Sequence, residues 1–227
     1  MSEFRISGGI IMTVAAICFL KGTRIWTPHG ERRVEDLRIN DLVVTSSGEA
    51  KPIQWVGRLH YERQCGQKWA KGIPPIRVAR SALGPNTPHR DLYLTENHKL
   101  YLDGALISAV HLLNNLTITR CSAEDLREIE YFHIKLDRHS VIYAEGAASE
   151  TLLGNSMRSC DNFEEYRNLY GEPSFSDEPA CVPVLGYYGG RSKLRGRIRS
   201  AISSVIDVRT KLEIVRDDLK ERARTLY

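Results

Sequence analysis

Asp91-Leu92-Tyr93-Leu94-Thr95-Glu96-Asn97-His98-Lys99-Leu100-Tyr101-Leu102-Asp103-Gly104-Ala105-Leu106-Ile107-Ser108 contains the local grammar from which the fold can be read. Lys99 to Leu102 and Ala105 to Ser108 flank Asp103-Gly104. That dipeptide is a strong short hairpin signal, because both central residues of a type I′ turn need positive φ. Thr95 and His98 stand at the end of a predicted strand just ahead of this hairpin, a rigid place from which to aim side chains.

Outward from this stretch the same grammar repeats. Ile53, Trp55, Gly57, Leu59 and Tyr61 alternate with polar residues, which is strand periodicity with one glycine bend. Leu42 to Thr45 runs into Ser46-Ser47-Gly48, a second hairpin turn. Ile129 to Leu136 and Ser140 to Ala144 supply two further strands, and Ala109 to Asn114 a single helical turn. Many short strands with few helical stretches predict a compact, mainly β domain.

The pattern changes after Gly154. Asp161 to Tyr170 reads as a short helix and Glu172 to Gly190 as a Pro- and Gly-containing linker. From Arg191 onward, Ile198, Val205, Leu212, Leu219 and Leu226 recur every seven residues, with Ala201, Val208 and Val215 three positions on. This is one apolar stripe on a helix. Residues 191–227 carry 11 basic against 5 acidic side chains, a local net charge of +6. Such a helix can pack on its own domain or mediate self-association or a protein contact. The four expected segments are therefore an N-terminal flank 1–17, a β-domain 18–153, a linker with short helix 154–190 and a basic amphipathic helix 191–227.

Composition sets limits. A net charge of +4 on 227 residues is too small to imply nucleic acid. Cysteines at 18, 65, 121, 160 and 181 show no paired spacing, so neither a zinc framework nor a disulfide scaffold is indicated. No metal or cofactor is expected. The apolar run Ile10–Leu20 is shorter than the roughly 20 residues a spanning helix requires. It reads better as a buried strand entering Cys18 than as a signal peptide, so a cytoplasmic location is preferred to secretion.

Cys18 follows that run directly, in Ile17-Cys18-Phe19-Leu20-Lys21-Gly22-Thr23-Arg24-Ile25. A thiol in this position can reach the Ile17 carbonyl through a five-membered transition state. Intramolecular proximity of this kind can replace up to about 7–11 kcal/mol of a barrier. Departure of the amine needs a proton donor, for which histidine is suited, and the developing oxyanion needs preoriented donors. His98, His133 and His139 are candidates for the imidazole and Thr95 for the hydroxyl. His29, His60, His89 and His111 read as surface or turn residues, and Cys65, Cys121, Cys160 and Cys181 as inert.

Five ordered phrases carry a family resemblance: residues 18–25; Val34-Glu35-Asp36-Leu37-Arg38-Ile39-Asn40-Asp41-Leu42-Val43; Ile53-Gln54-Trp55-Val56-Gly57; Asp91 to His98; and Tyr131 to Gly146. Together they resemble the Hint domain of Hedgehog autoprocessing domains and inteins, most closely its bacterial non-splicing relatives. The resemblance implies a flattened all-β horseshoe with pseudo-two-fold symmetry. It also implies Cys18 as nucleophile of an N-to-S acyl shift at the Ile17–Cys18 bond. His98 would protonate or activate the scissile nitrogen and Thr95 would hold it, with His139 and His133 on the last strand pair. His133 stands where inteins usually carry aspartate.

Splicing inteins end in His-Asn before a nucleophile, whereas the matching region here reads Ala144-Glu145-Gly146-Ala147-Ala148-Ser149-Glu150-Thr151. The expectation is therefore cleavage or transfer of the chain's own N-terminal flank to water or another nucleophile, without splicing. The alternative is a catalytically inactive scaffold that serves as a binding module.

Overall fold

The computed structural model describes residues 17–173, 180–185 and 210–226. The apolar run before Ile17 and the stripe positions Ile198, Ala201, Val205 and Val208 lie outside the described residues.

The chain shuttles between two sheets. It begins with β1 (Phe19–Leu20), β2 (Arg24–Thr27) and β3 (Gly30–Arg33), then makes a small hairpin of β4 (Leu42–Val44) and β5 (Ala50–Pro52). Next come β6 (Trp55–Glu62), β7 (Ile76–Val78), β8 (Leu92–Leu94), β9 (Lys99–Leu102) and β10 (Ala105–Ser108). After these follow β11 (Ile118–Arg120), β12 (Glu128–Lys135), β13 (Val141–Ala144), β14 (Ala147–Glu150) and β15 (Val184–Leu185). One sheet has the order β11-β7-β8-β1-β12-β6 and the other β15-β10-β9-β14-β13-β2-β3. This is the mainly β architecture predicted, with α1 (Phe163–Tyr170) and α2 (Lys211–Leu226) added after it.

Local chemistry explains the turns. Asp103 and Gly104 have φ of 47° and 75°, the two positive values of the predicted hairpin between β9 and β10. Asn40 has φ of 71° ahead of β4, a left-handed position that asparagine tolerates. The longest ladder pairs β6 with β12 from Trp55↔Lys135 to Glu62↔Glu128. Gly57 is needed in it, because a Cβ there would come 2.7 Å from both the Cys160 Sγ and the Trp55 ring.

Two cores result. The larger gathers Phe19, Ile25, Val43, Leu94, Leu100, Ile107 and Ile134 between the sheets. The second packs Cys18, Trp55, Leu59, Tyr131, Leu152, Met157, Cys160 and Tyr166, so the 3-10 turn Gly154–Ser159 and α1 cover the outer face of β6 and β12. Within α2, the stripe residues Leu212, Val215 and Leu219 are buried in the larger core, and Lys211 Nζ lies 3.4 Å from Asp103 Oδ2. The described part of the apolar stripe thus packs on its own domain, and Leu226 at its end is exposed. The expected linker contributes β15, which pairs in parallel with β10. Among the described residues no helix is long and apolar enough to cross a membrane.

Candidate active site

Strand register builds the site. β1 is wedged between β8 and β12, with Phe19 opposite Leu94 on one side and Phe132 on the other. Continued back by one residue, this register sets Cys18 between Thr95 and His133. The hydrogen bonds agree. Thr95 Oγ1 accepts the Cys18 backbone N–H at 2.8 Å, and the Thr95 N–H donates to the Cys18 carbonyl at 3.1 Å. One residue therefore grips both sides of Cys18, including the amide nitrogen that joins it to Ile17.

Thr95 and His98 do not lie in a strand. β8 ends at Leu94, and residues 95–98 form the turn by which the chain crosses to the other sheet. The turn is held tightly. His98 N–H donates to the Thr95 carbonyl at 3.1 Å, Ala109 N–H to the His98 carbonyl at 2.9 Å and Val110 N–H to the Glu96 carbonyl at 2.9 Å. The 3-10 turn Ala109–Leu112 thus braces it, and Arg120 pairs with the Glu96 carboxylate.

The imidazoles converge. The His98 ring packs at 4.3 Å on Phe19 and at 6.1 Å on His133, centroid to centroid. His98 and His133 are both buried; the His98 ring lies against the backbone of Cys18 and Glu150, and among the described residues no hydrogen-bond partner meets the His133 ring nitrogens. Burial lowers His98 to about 4, with Lys99 acting in the same direction against Glu150 and the nearby backbone of Cys18 and Glu150. His133 is driven well below its ordinary value by burial and then by His98 and Lys99. Both rings are neutral near pH 7. Burial, and next the neighbouring Cys160, hold the Cys18 thiol well above its ordinary range, so the sulfur is protonated.

Glu150 organises the polar side of the cluster, and the sequence reading missed it. Its carboxylate is fully buried at the end of β14. It accepts the Lys99 backbone N–H at 2.8 Å and the Lys99 Nζ at 2.9 and 3.1 Å, and lies 3.5 Å from His139 Nε2. Burial pushes its carboxyl upward, but the contacts with His139, His98 and Lys99 outweigh this and lower it. His139 Nδ1 in turn accepts the Cys181 N–H at 3.0 Å. The one signal available in the sequence was a carboxylate within the small-residue strand Ala147-Ala148-Ser149-Glu150, where a buried acid demands a partner.

Cys18, Thr95, His98 and His133 therefore gather where β1, β8, β12 and the 95–98 turn meet, and His139 adjoins them through Glu150. The model of the Hint domain family matches residues 17–156, a span that contains every member of this cluster. The chain belongs to the Hint domain family. Solved structures similar to this Hint domain include the gp41-1 intein, at 14% identity over 58% of this chain and 97% of that one, TM-score 0.41. Another is a bacterial intein-like domain from Clostridium thermocellum, at 13% identity over 60% and 98%, TM-score 0.43. The MchDnaB-1 intein matches at 12% identity over 59% and 99%, TM-score 0.40. No curated protein sequence matches the chain.

Proposed function

We propose that this Hint domain processes its own N-terminal flank through a thioester at Cys18. The Cys18 sulfur attacks the Ile17 carbonyl carbon, a C–S bond forms, and the C–N bond to Cys18 breaks. The proton given up by the thiol ends on the departing amine. His98, neutral near pH 7, lies against the Cys18 backbone and can relay that proton. The thioester then passes to water or to another nucleophile, and this irreversible step draws forward a shift that is uphill by itself.

The observation that carries this reading is the grip of Thr95 Oγ1 on the Cys18 N–H at 2.8 Å. It ties the nitrogen of the scissile bond to the same short turn that bears His98, so nitrogen and imidazole are held in one frame. Just after β14, Thr151 Oγ1 accepts the Ser140 N–H at 2.9 Å. Glu150 and Thr151 offer no asparagine side chain to cyclise, which supports cleavage without splicing.

A second reading, a Hint scaffold used for binding alone, is favoured by the burial of the thiol. Cys18 is 3% exposed and packs with Trp55, Tyr131 and Cys160 beneath α1 and the turn before it. Cleavage of purified protein in dithiothreitol, followed by intact mass, separates the two. The autoprocessing reading expects loss of residues 1–17 from the wild type and full-length chain alone in Cys18→Ala. His98→Ala should slow release by about 10²–10⁴-fold, the usual worth of a positioned acid–base group. Full-length wild-type protein under every condition would leave the scaffold reading.

A further inference from the structure

At the β13–β14 turn lies a second convergence of ligating groups. Glu31 on β3, His89 ahead of β8 and Glu145 in the turn come together although more than fifty residues separate each from the next. One ligand atom from each lies within 4.8 Å of the other two. His89 Nε2 is 3.0 Å from Glu31 Oε1 and 3.5 Å from Glu145 Oε2. Ligands about 2.0–2.1 Å from a tetrahedral ion are about 3.3 Å from each other. These two separations bracket that edge.

A histidine held as a cation between two carboxylates would also bring the groups together. Both oxygens, however, face the same ring nitrogen, His89 Nε2, which has a single proton to offer and can satisfy only one of them. Glu145 Oε2 and Glu31 Oε1 are buried and make no hydrogen bond. The Glu145 side chain is only 6% exposed, and its other oxygen is committed to the Arg24 N–H at 2.8 Å, which fixes the carboxylate plane. A buried carboxylate oxygen without a donor is costly unless something positive occupies its direction.

The backbone is shaped for the imidazole as well. Gly146 has φ of 79°, and a Cβ there would stand 2.7 Å from His89 Nδ1. Glycine thus leaves the space in which the ring lies. His89 N–H donates to the Glu145 carbonyl at 2.9 Å, and Glu145 N–H to the Arg24 carbonyl at 2.8 Å, so the ligand-bearing segments are prepositioned. Glu31 and His89 keep some solvent exposure, which leaves an entry path and room for water ligands.

We propose that Glu31, His89 and Glu145 form a binding site for a divalent first-row transition ion of the zinc type. Two carboxylates balance the ion's charge, and the imidazole favours zinc-like ions over magnesium or calcium. The ion clasps the β2–β3 hairpin to the β13–β14 turn.

Titration of the full chain with Co²⁺, read by visible absorption, tests the site. The expected result is one equivalent bound, with ligand-field bands but without the sulfur-to-cobalt charge-transfer band that a cysteine site would add. Zn²⁺ should displace the Co²⁺ and raise the thermal midpoint of the wild type. Glu31→Gln and His89→Gln should each weaken Co²⁺ binding by at least about tenfold, as loss of one of three protein ligands requires, and remove the Zn²⁺ shift. Glu31 lies at the rim, so Glu31→Gln carries the test if His89→Gln fails to fold, with an unchanged midpoint in chelator as the folding control. No stoichiometric binding, a thiolate band, or undiminished affinity in a folded Glu31→Gln would overturn the proposal. Because Cys18→Ala should keep this site, its outcome is independent of whether the flank is cleaved.

Discussion

Replacing His98 with glutamine should change how acid destabilises the domain. In the folded chain His98 resists protonation down to about pH 4 because it is wholly buried. In the unfolded chain it takes a proton below about pH 6.5. The stability it contributes is therefore complete above about pH 6.5 and is lost as pH falls towards 4. The full linkage is about 3 kcal/mol, of which about 2 kcal/mol falls between pH 7 and pH 4.5. Urea unfolding of wild type and His98→Gln at those two pH values measures the difference, with other titrating groups largely cancelling between the proteins. Wild type should lose about 2 kcal/mol more than the variant. Equal losses would mean that the imidazole is already protonated or solvated in the folded state, and the neutral relay assigned to it would fall.

Three further outcomes follow from the same geometry. Since burial holds the Cys18 thiol well above its ordinary value, thiol-induced cleavage should accelerate about tenfold per pH unit between about pH 7 and 9; a flat profile in single-turnover assays would exclude attack by the thiolate. Lys99→Met leaves the Glu150 carboxylate without its ammonium partner and should cost about 3 kcal/mol in chemical unfolding, with Lys99→Met/Glu150→Gln recovering part of it; a loss below about 1 kcal/mol would show the pair to be solvated. Gly57→Ala would press a methyl against Cys160 Sγ and the Trp55 ring and should cost about 1–3 kcal/mol by the same assay, whereas an unchanged midpoint would contradict the packing over β6.

Local features were readable because local chemistry decides them. Asp103-Gly104 and Asn40 specify their own backbone, and the alternation from Ile53 to Tyr61 foretells β6. The gathering of Cys18, Thr95 and His133 depends on two strand registers, which no single segment encodes. His98 was placed at a strand end, yet it belongs to a turn, because the crossing between sheets interrupts the pattern after Leu94. Glu150 escaped notice because Ser-Glu-Thr reads as a polar exit from a strand, and only the approach of Lys99 and His139 buries it with partners. His89 looked like a surface turn residue; its partners Glu31 and Glu145 come from other strands, and sequence spacing carries no trace of them. Cys160, read as inert, is a buried thiol in the cluster that encloses the Cys18 thiol.

Hydroxylamine trapping reaches the central claim most directly. It cleaves a thioester but leaves the ordinary amide intact under mild conditions. Folded wild-type chain treated this way should release a peptide whose mass corresponds to residues 1–17 ending in a hydroxamate at Ile17, and Cys18→Ala should release none. Absence of that peptide from folded wild type, or its appearance in Cys18→Ala, would contradict a thioester at Cys18.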